Sequence, residues 1–228
     1  RSLDILAQKF FPDKSHFPPE IQRTVAQLAL VIECKNIVGN IWIFSLDDET
    51  GFGIPDFASI KFSVGDPAIN VSPFNMISTI PHVSGYDEYV YDKSKSNAKL
   101  TNLYSAIMTV TKATHYLKES YDDMFKKMKI HNWRPRKQDY ALLMTFFQPV
   151  IVFTGNIFVT KSSEDGKIEF NKVKYVQMDQ NYVSKDYNEL GGTIHIVAYD
   201  HSEEYLQLVE QHYISKEDLL ITQQKSLL

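Results

Sequence analysis

"LALVIECKNI", residues 28–37, is the stretch on which the reading of this chain turns. Five apolar residues, Leu28 to Ile32, run straight into Glu33, Cys34 and Lys35. A short uninterrupted apolar run rich in Val, Ile and Leu is the pattern of a strand covered on both faces. Residues i and i+2 of a strand point the same way. Glu33 and Lys35 are therefore expected to project together, with Cys34 turned to the opposite, packed side as a small buried hydrophobe. A carboxylate and an ammonium at the end of a buried strand are costly to desolvate. They must pair, bind a metal or open into a cleft.

A second acid belongs to the argument. "RSLDILAQKFF", residues 1–11, alternates apolar and polar positions, the pattern of a half-covered strand, and it carries Asp4. If this strand lies beside residues 28–35, Asp4 and Glu33 converge. Two adjacent carboxylates call for a hard cation. Mg²⁺ takes oxygen ligands, keeps several waters and is held by one or two carboxylates. A lysine beside such a water can orient it, and cation and ammonium together stabilise charge developing on a phosphoryl group. Asp13, in the pair Pro12-Asp13, is a rival first acid. Asp4 is preferred because it sits in the strand pattern, whereas Asp13 sits among loop formers.

An Asp on one strand followed by a hydrophobic strand ending in Glu-x-Lys resembles the PD-(D/E)xK nuclease superfamily. "LDILA" followed by "LALVIECKN" looks most like its prokaryotic restriction-endonuclease-like and Holliday-junction-resolvase-like members. The resemblance implies an α/β domain with a central mixed sheet flanked by helices. It implies Asp4 and Glu33 as Mg²⁺ ligands (with Mn²⁺ as substitute), the main-chain carbonyl of Cys34 as a further ligand, and Lys35 as the catalytic lysine. The implied activity is hydrolysis of phosphodiester bonds, in DNA. The alternative is a nuclease-like module that binds or assembles without turnover. The resemblance rests on residues 1–46 and beyond them only on element order. The family's first helix precedes the Asp strand, and here nothing precedes Arg1, so that helix is expected to lie upstream. A second match to the pattern, Asp165-Gly166-Lys167, lies in a turn.

The remaining chain reads as one domain, 1–228. "GNIWIFSLD" is a strand. Residues 50–97, rich in Gly, Pro, Ser and Asn, read as short elements and loops forming an insertion over one face, with "FASIKFSVG" and "YDEYVYDK" as patterned pieces. From Ala98 to Glu119, Leu100, Leu103, Ile107, Val110 and Leu117 recur at helical spacing. A second helix is expected through "SYDDMFKKMK". Beyond Pro135 follow consecutive strands, with hairpin turns at "TGN" and "EDGK". Ser202 is expected to cap a closing helix, and "TQQKSLL" to be a frayed tail.

The family's helix after the Glu-x-Lys strand carries polar or basic residues toward substrate, which points to Lys112. Lys126, Lys127, Arg134, Arg136 and Lys137, interleaved with Trp133, form the best candidate patch for a phosphate backbone. The formal net charge of −4 excludes a protein held on nucleic acid by bulk charge alone. One cysteine excludes an intrachain disulfide. No apolar run reaches membrane-span length. The expected setting is cytoplasmic, with no membrane partner, and a homodimer would suit double-strand cleavage.

Overall fold

The computed structural model describes residues 5–11, 23–37, 40–46, 58–62, 77–90, 102–127, 141–163, 165–184 and 187–225. The apolar run belongs to a strand of 13 residues, β2 (Arg23–Lys35), preceded by β1 (Ile5–Phe11). β3 (Asn40–Leu46), β4 (Ala58–Phe62), β5 (His82–Val90) and helix α1 (Asn102–Lys127) follow. Then come β6 (Ala141–Phe153), β7 (Asn156–Ser162), β8 (Ile168–Val173), β9 (Tyr175–Ser184), β10 (Tyr187–Ala198) and helix α2 (Ser202–Lys225). The class is mixed α and β, as the patterns predict.

All described strands join one sheet, in the order β1-β2-β6-β10-β9-β5-β3-β7-β8, with β4 also on β6. β1 is antiparallel to β2, from Ile5 opposite Ile32 to Phe11 opposite Ala26. β6 runs parallel to β2 along its whole length, and β10 runs parallel to the end of β6. The two patterned pieces of residues 50–97 are members of this sheet: β4 pairs with β6, and β5 sits between β9 and β3.

A proline inside a central strand removes a ladder donor. Pro149 is tolerated because β6 changes neighbour there: β4 pairs only as far as Phe146, and β10 begins at Val150. The Gln148 side-chain amide donates to the carbonyls of Pro149 at 3.0 Å and Thr193 at 3.2 Å, which serve this junction.

"TGN" does not make a hairpin. β6 and β7 do not pair; β7 pairs with β3 and β8 instead. The chain swings at Thr154-Gly155 from one part of the sheet to another. β2 and β3, also in parallel with that pair, make the same crossing through Asn36 and Ile37. The sheet must therefore curl, and Trp42 of β3 stacks on Phe153 of β6 at 3.8 Å although the strands are not neighbours. "EDGK" does turn a hairpin, with Gly166 in the left-handed region at φ 76°.

α1 packs on the concave face. Leu103, Ala106, Ile107 and Val110 are buried there among Ala29, Val31, Phe147, Ile151 and Ile196. Each of the larger side chains, Leu, Ile, Val or Phe, contributes roughly 1.5–3 kcal/mol by leaving water. The expected pair of helices is one helix. Nothing between Glu119 and Tyr121 breaks it, and the i,i+4 pairs His115–Glu119 and Lys118–Asp122 span the expected joint. Leu100 lies outside the described residues.

α2 covers the other face. Tyr205, Val209 and Tyr213, four residues apart, pack on Leu28, Leu30, Phe146 and Val150. Ser202 is not the expected cap. A short 3₁₀ turn, Tyr199–His201, precedes it, and its hydroxyl donates to the Tyr199 carbonyl at 2.7 Å. The helix continues to Lys225, through most of the stretch expected to fray. No helix among the described residues is long and apolar enough to cross a membrane.

The crossing is tight at Gly155, where a Cβ would overlap both the Phe153 ring and the Asn40 carbonyl. Gly155→Ala is expected to cost about 2–3 kcal/mol of unfolding free energy, the scale of overpacking. It would appear as a lower urea midpoint at unchanged slope. A wild-type midpoint would refute the close approach.

Candidate functional site

Glu33 and Lys35 occupy the last turn of the pleat in β2, opposite Ile151 and Phe153 of β6. Alternation puts them on the same face as Ala29 and Val31, the face that α1 covers. Glu33 is buried, with 7% of its surface exposed. Its Oε1 lies 2.6 Å from Lys35 Nζ, and the side chains keep 9% and 22% of their surface. Of the three outcomes open from the sequence, pairing is the one described, and it is formed within one strand. Its carboxylate sits in the core and its ammonium reaches the rim.

Cys34 does not turn into a packed layer; its side chain is exposed. The reason is where α2 stops covering the sheet. On that face of β2, Leu28 and Leu30 are buried, Ile32 is half-buried and Cys34 is open. On β6, Val150 is buried and Val152 is half-buried.

The end of β2 is held by a residue that no local pattern signals. The Thr154 backbone N–H donates to the Lys35 carbonyl at 3.1 Å. Its hydroxyl accepts from the Ile37 N–H at 3.1 Å and lies 3.2 Å from the Asn36 side-chain oxygen. Thr154 thereby ties the two crossings together and fixes the backbone that presents Lys35.

A second carboxylate serves the same corner. Glu88, from β5, accepts from the backbone N–H groups of Asn102 at 2.7 Å and Leu103 at 3.4 Å. It also accepts from the Asn40 amide at 2.8 Å and the Asn102 amide at 3.2 Å. α1 has no acid in its own first turn, so Glu88 caps it from another strand. α1 consequently starts beside Asn40, five positions past Lys35, and runs antiparallel to β2. Tyr121, toward its far end, meets Phe147 edge-on, next to Ala29.

That direction separates the sequence candidates. Lys112 is exposed on the outer side of α1, away from the buried stripe that faces β2. Lys127 is exposed at the end of α1, roughly 39 Å along a 26-residue helix at 1.5 Å per residue from its Glu33 end. Neither is brought to Glu33 and Lys35. The Lys126 side chain, Arg134, Arg136 and Lys137 lie outside the described residues, as do Asp4 and Asp13. β1 does lie beside β2, and its first described residue, Ile5, is opposite Ile32, one position from Glu33.

The second Asp-x-Lys match is a surface feature. Lys167 Nζ lies 2.6 Å from Asp165 Oδ2 in the β7–β8 turn, with both side chains more than half exposed. The Lys167 hydrogen bond holds the Asp165 carboxyl below its usual range.

Sequence reading also missed a buried polar chain on the α2 face. Thr193 donates to Asp179 Oδ1 at 2.7 Å, and Asp179 Oδ2 lies 3.3 Å from His82 Nε2. Gln177 accepts from the Ile77 N–H and donates to the Ile77 and Ile80 carbonyls, pinning the turn ahead of β5. His195 is a strand residue of β10, and its Nδ1 lies 2.8 Å from the Tyr205 hydroxyl. Burial pushes that phenol well above its ordinary range. The Gln177 contacts join residues 97 and 100 apart in sequence, so no spacing announces them.

Among the described residues, no group of three or more His, Cys, Asp or Glu side chains is placed to hold a metal ion. The Glu33 carboxylate oxygen Oε1 is engaged by the Lys35 ammonium at 2.6 Å. One carboxylate with carbonyl and water oxygens is a donor set that Mg²⁺ accepts.

Breaking the pair tests how deep it sits. Lys35→Met strands the buried carboxylate and is expected to cost about 1–3 kcal/mol, less than a fully buried pair because the ammonium is at the rim. Glu33→Gln/Lys35→Met should recover part of that loss, since no charge is left unpaired. A double-mutant cycle of urea midpoints reads the coupling.

No family model matches the chain, and no curated protein and no solved structure matches it either.

Proposed function

We propose that this chain is a nuclease of the PD-(D/E)xK type, hydrolysing phosphodiester bonds in DNA with Mg²⁺. The observation that carries the reading is the buried Glu33–Lys35 pair on one face at the end of β2. Its setting supports it: an antiparallel strand on one side, directly preceded in sequence by Asp4, and a parallel strand on the other, reached through α1. That order is compatible with the restriction-endonuclease-like core the resemblance implies, with β3, β4 and β5 inserted before α1.

In this reading Asp4, Glu33 and the Cys34 carbonyl would hold the ion. When bound, it would supply Lewis-acid stabilisation of the phosphoryl oxygens and lower the pKa of a water. Lys35 contributes a positive charge and hydrogen-bond donors aimed at that water or at a non-bridging phosphate oxygen. Thr154 keeps the strand end, and with it the Lys35 backbone, in register. A cytoplasmic setting and a homodimer that pairs two such sites across a duplex complete the proposal.

A second reading has its own observation. A carboxylate closed by an ammonium at 2.6 Å is also what a nuclease-like module without turnover would keep as a structural ion pair. It would bind or assemble rather than cut.

Nicking of supercoiled plasmid in Mg²⁺ or Mn²⁺ separates the two. Wild type is expected to nick, Glu33→Gln to be inactive, and Lys35→Ala to be slower by roughly 10²-fold, the scale of one lost charge-stabilising donor. Cleavage unchanged in Lys35→Ala would remove the lysine from the chemistry. DNA binding without cleavage by wild type would favour the second reading.

A further inference from the structure

We infer that β8 is a dimerisation edge, on which a second copy of this chain adds its own β8 in the antiparallel sense, with the two-fold axis at Phe170. The inference rests on β8 and not on Glu33 or Lys35, and it stands whether or not the chain cuts DNA. β8 ends the sheet, and among the described residues it pairs only with β7. Every residue from Asp165 to Lys172 is exposed. Ile168 keeps 63% of its surface and Phe170 58%, and both lie on one face of the strand. Their neighbours across the ladder are Ser162 and Thr160, too short to cover them. Large apolar side chains along an open strand edge mark a surface for pairing with another strand.

The backbone is set for a partner. The Ser163 N–H donates to the Lys167 carbonyl at 2.8 Å, so Lys167 faces β7. The facing side alternates along an antiparallel ladder. Glu169, Asn171 and Val173 therefore also face β7, and the N–H and C=O groups of Ile168, Phe170 and Lys172 point to the open side. Side chains then choose the register. With the axis at Phe170, all three outward residues are used: Phe170 meets Phe170 of the second copy, and each Ile168 meets the stem of the other copy's Lys172. About six ladder hydrogen bonds form. Glu169 lies opposite Asn171, so no like charges face each other. An axis at Glu169 or at Lys172 would oppose two carboxylates or two ammoniums. An axis at Ile168 would set Phe170 against Gly166 of the turn, and one at Asn171 would call on Lys174, which Glu204 already holds at 2.8 Å. A second copy is also the occupant that closes. β8 paired with β1 of another molecule, at the opposite end of the sheet, would leave a free edge at each end and grow into a filament.

The edge is short, so the contact belongs to the weak end of specific interfaces and the dimer should depend on concentration. Sedimentation equilibrium of wild type is expected to show monomer and dimer in exchange. Phe170→Pro should raise the dissociation constant ~30-fold, the scale of one interface hot spot. Proline there removes an N–H that β7 does not use, so the hairpin is expected to survive, which an unchanged urea midpoint of the monomer checks. Phe170→Asp keeps the N–H and should weaken the dimer as well, because it opposes two carboxylates across the axis. Amide hydrogen exchange needs no variant. Raising the protein concentration should slow the N–H groups of Ile168, Phe170 and Lys172, and leave those of Glu169 and Asn171, already bonded to β7, as they are. A wild type that stays monomeric up to about 1 mM overturns the inference. So does a dimer that forms with these three amides unchanged, or one that both Phe170 variants form as tightly as wild type. Open-ended polymers in place of a dimer overturn it too.

Discussion

Two neighbouring parallel strands, β2 and β6, leave one part of the sheet at the same level and enter another part side by side, as β3 and β7. This shared crossing is the constraint on which the rest depends. It forces the sheet to curl, because strands second and third in the order must reach strands seventh and eighth. It places Trp42 flat on Phe153 and leaves no room for a side chain at Gly155. It gives α1 a concave face lined from several strands at once. Thr154 joins the two crossings by backbone and hydroxyl, so neither can shift without the other.

At this corner the fold buries or half-buries two carboxylates and satisfies them by different means. Glu88 is met by neutral donors, two from backbone and two from amides, and its charge sits at the positive end of α1. Glu33 is met by an ammonium two residues away on its own strand. The first arrangement saturates the carboxylate and fixes a helix. The second leaves the carboxylate dependent on one mobile partner, because a lysine stem can reorient where a backbone N–H cannot. Asp165–Lys167 has the same spacing and distance, but water covers both groups, so nothing there is forced to pair.

How far the sequence could be read depended on how local the cause was. β1, β2, β3 and β10 follow from alternation or uninterrupted apolar runs, and β8 from the turn at Gly166. The face shared by Glu33 and Lys35 follows from the period of a strand. The fate of Cys34 does not: alternation says it points away from Glu33, but only the extent of α2 among the described residues leaves it exposed. "TGN" has the composition of a hairpin, yet β6 is already paired on both sides by β2 and by β4 and β10. The second helix expected through "SYDDMFKKMK" is a continuation of α1, with i,i+4 pairs spanning the joint.

Sequence by itself determined the class of structure, the charged end of β2 and the face shared by Glu33 and Lys35, because these follow from periodicities; that the two charges pair with each other is a result of the structure. Tertiary structure alone decided that α1 begins at this corner and runs away from it, carrying Lys112 on its outer side and Lys127 to its far end. It alone decided that Thr154, 119 residues from Lys35, secures the strand end, and that Glu88 caps α1. Those outcomes depend on which strands become neighbours when the sheet curls, and neighbourhood across such separations is a property of packing that no local spacing encodes.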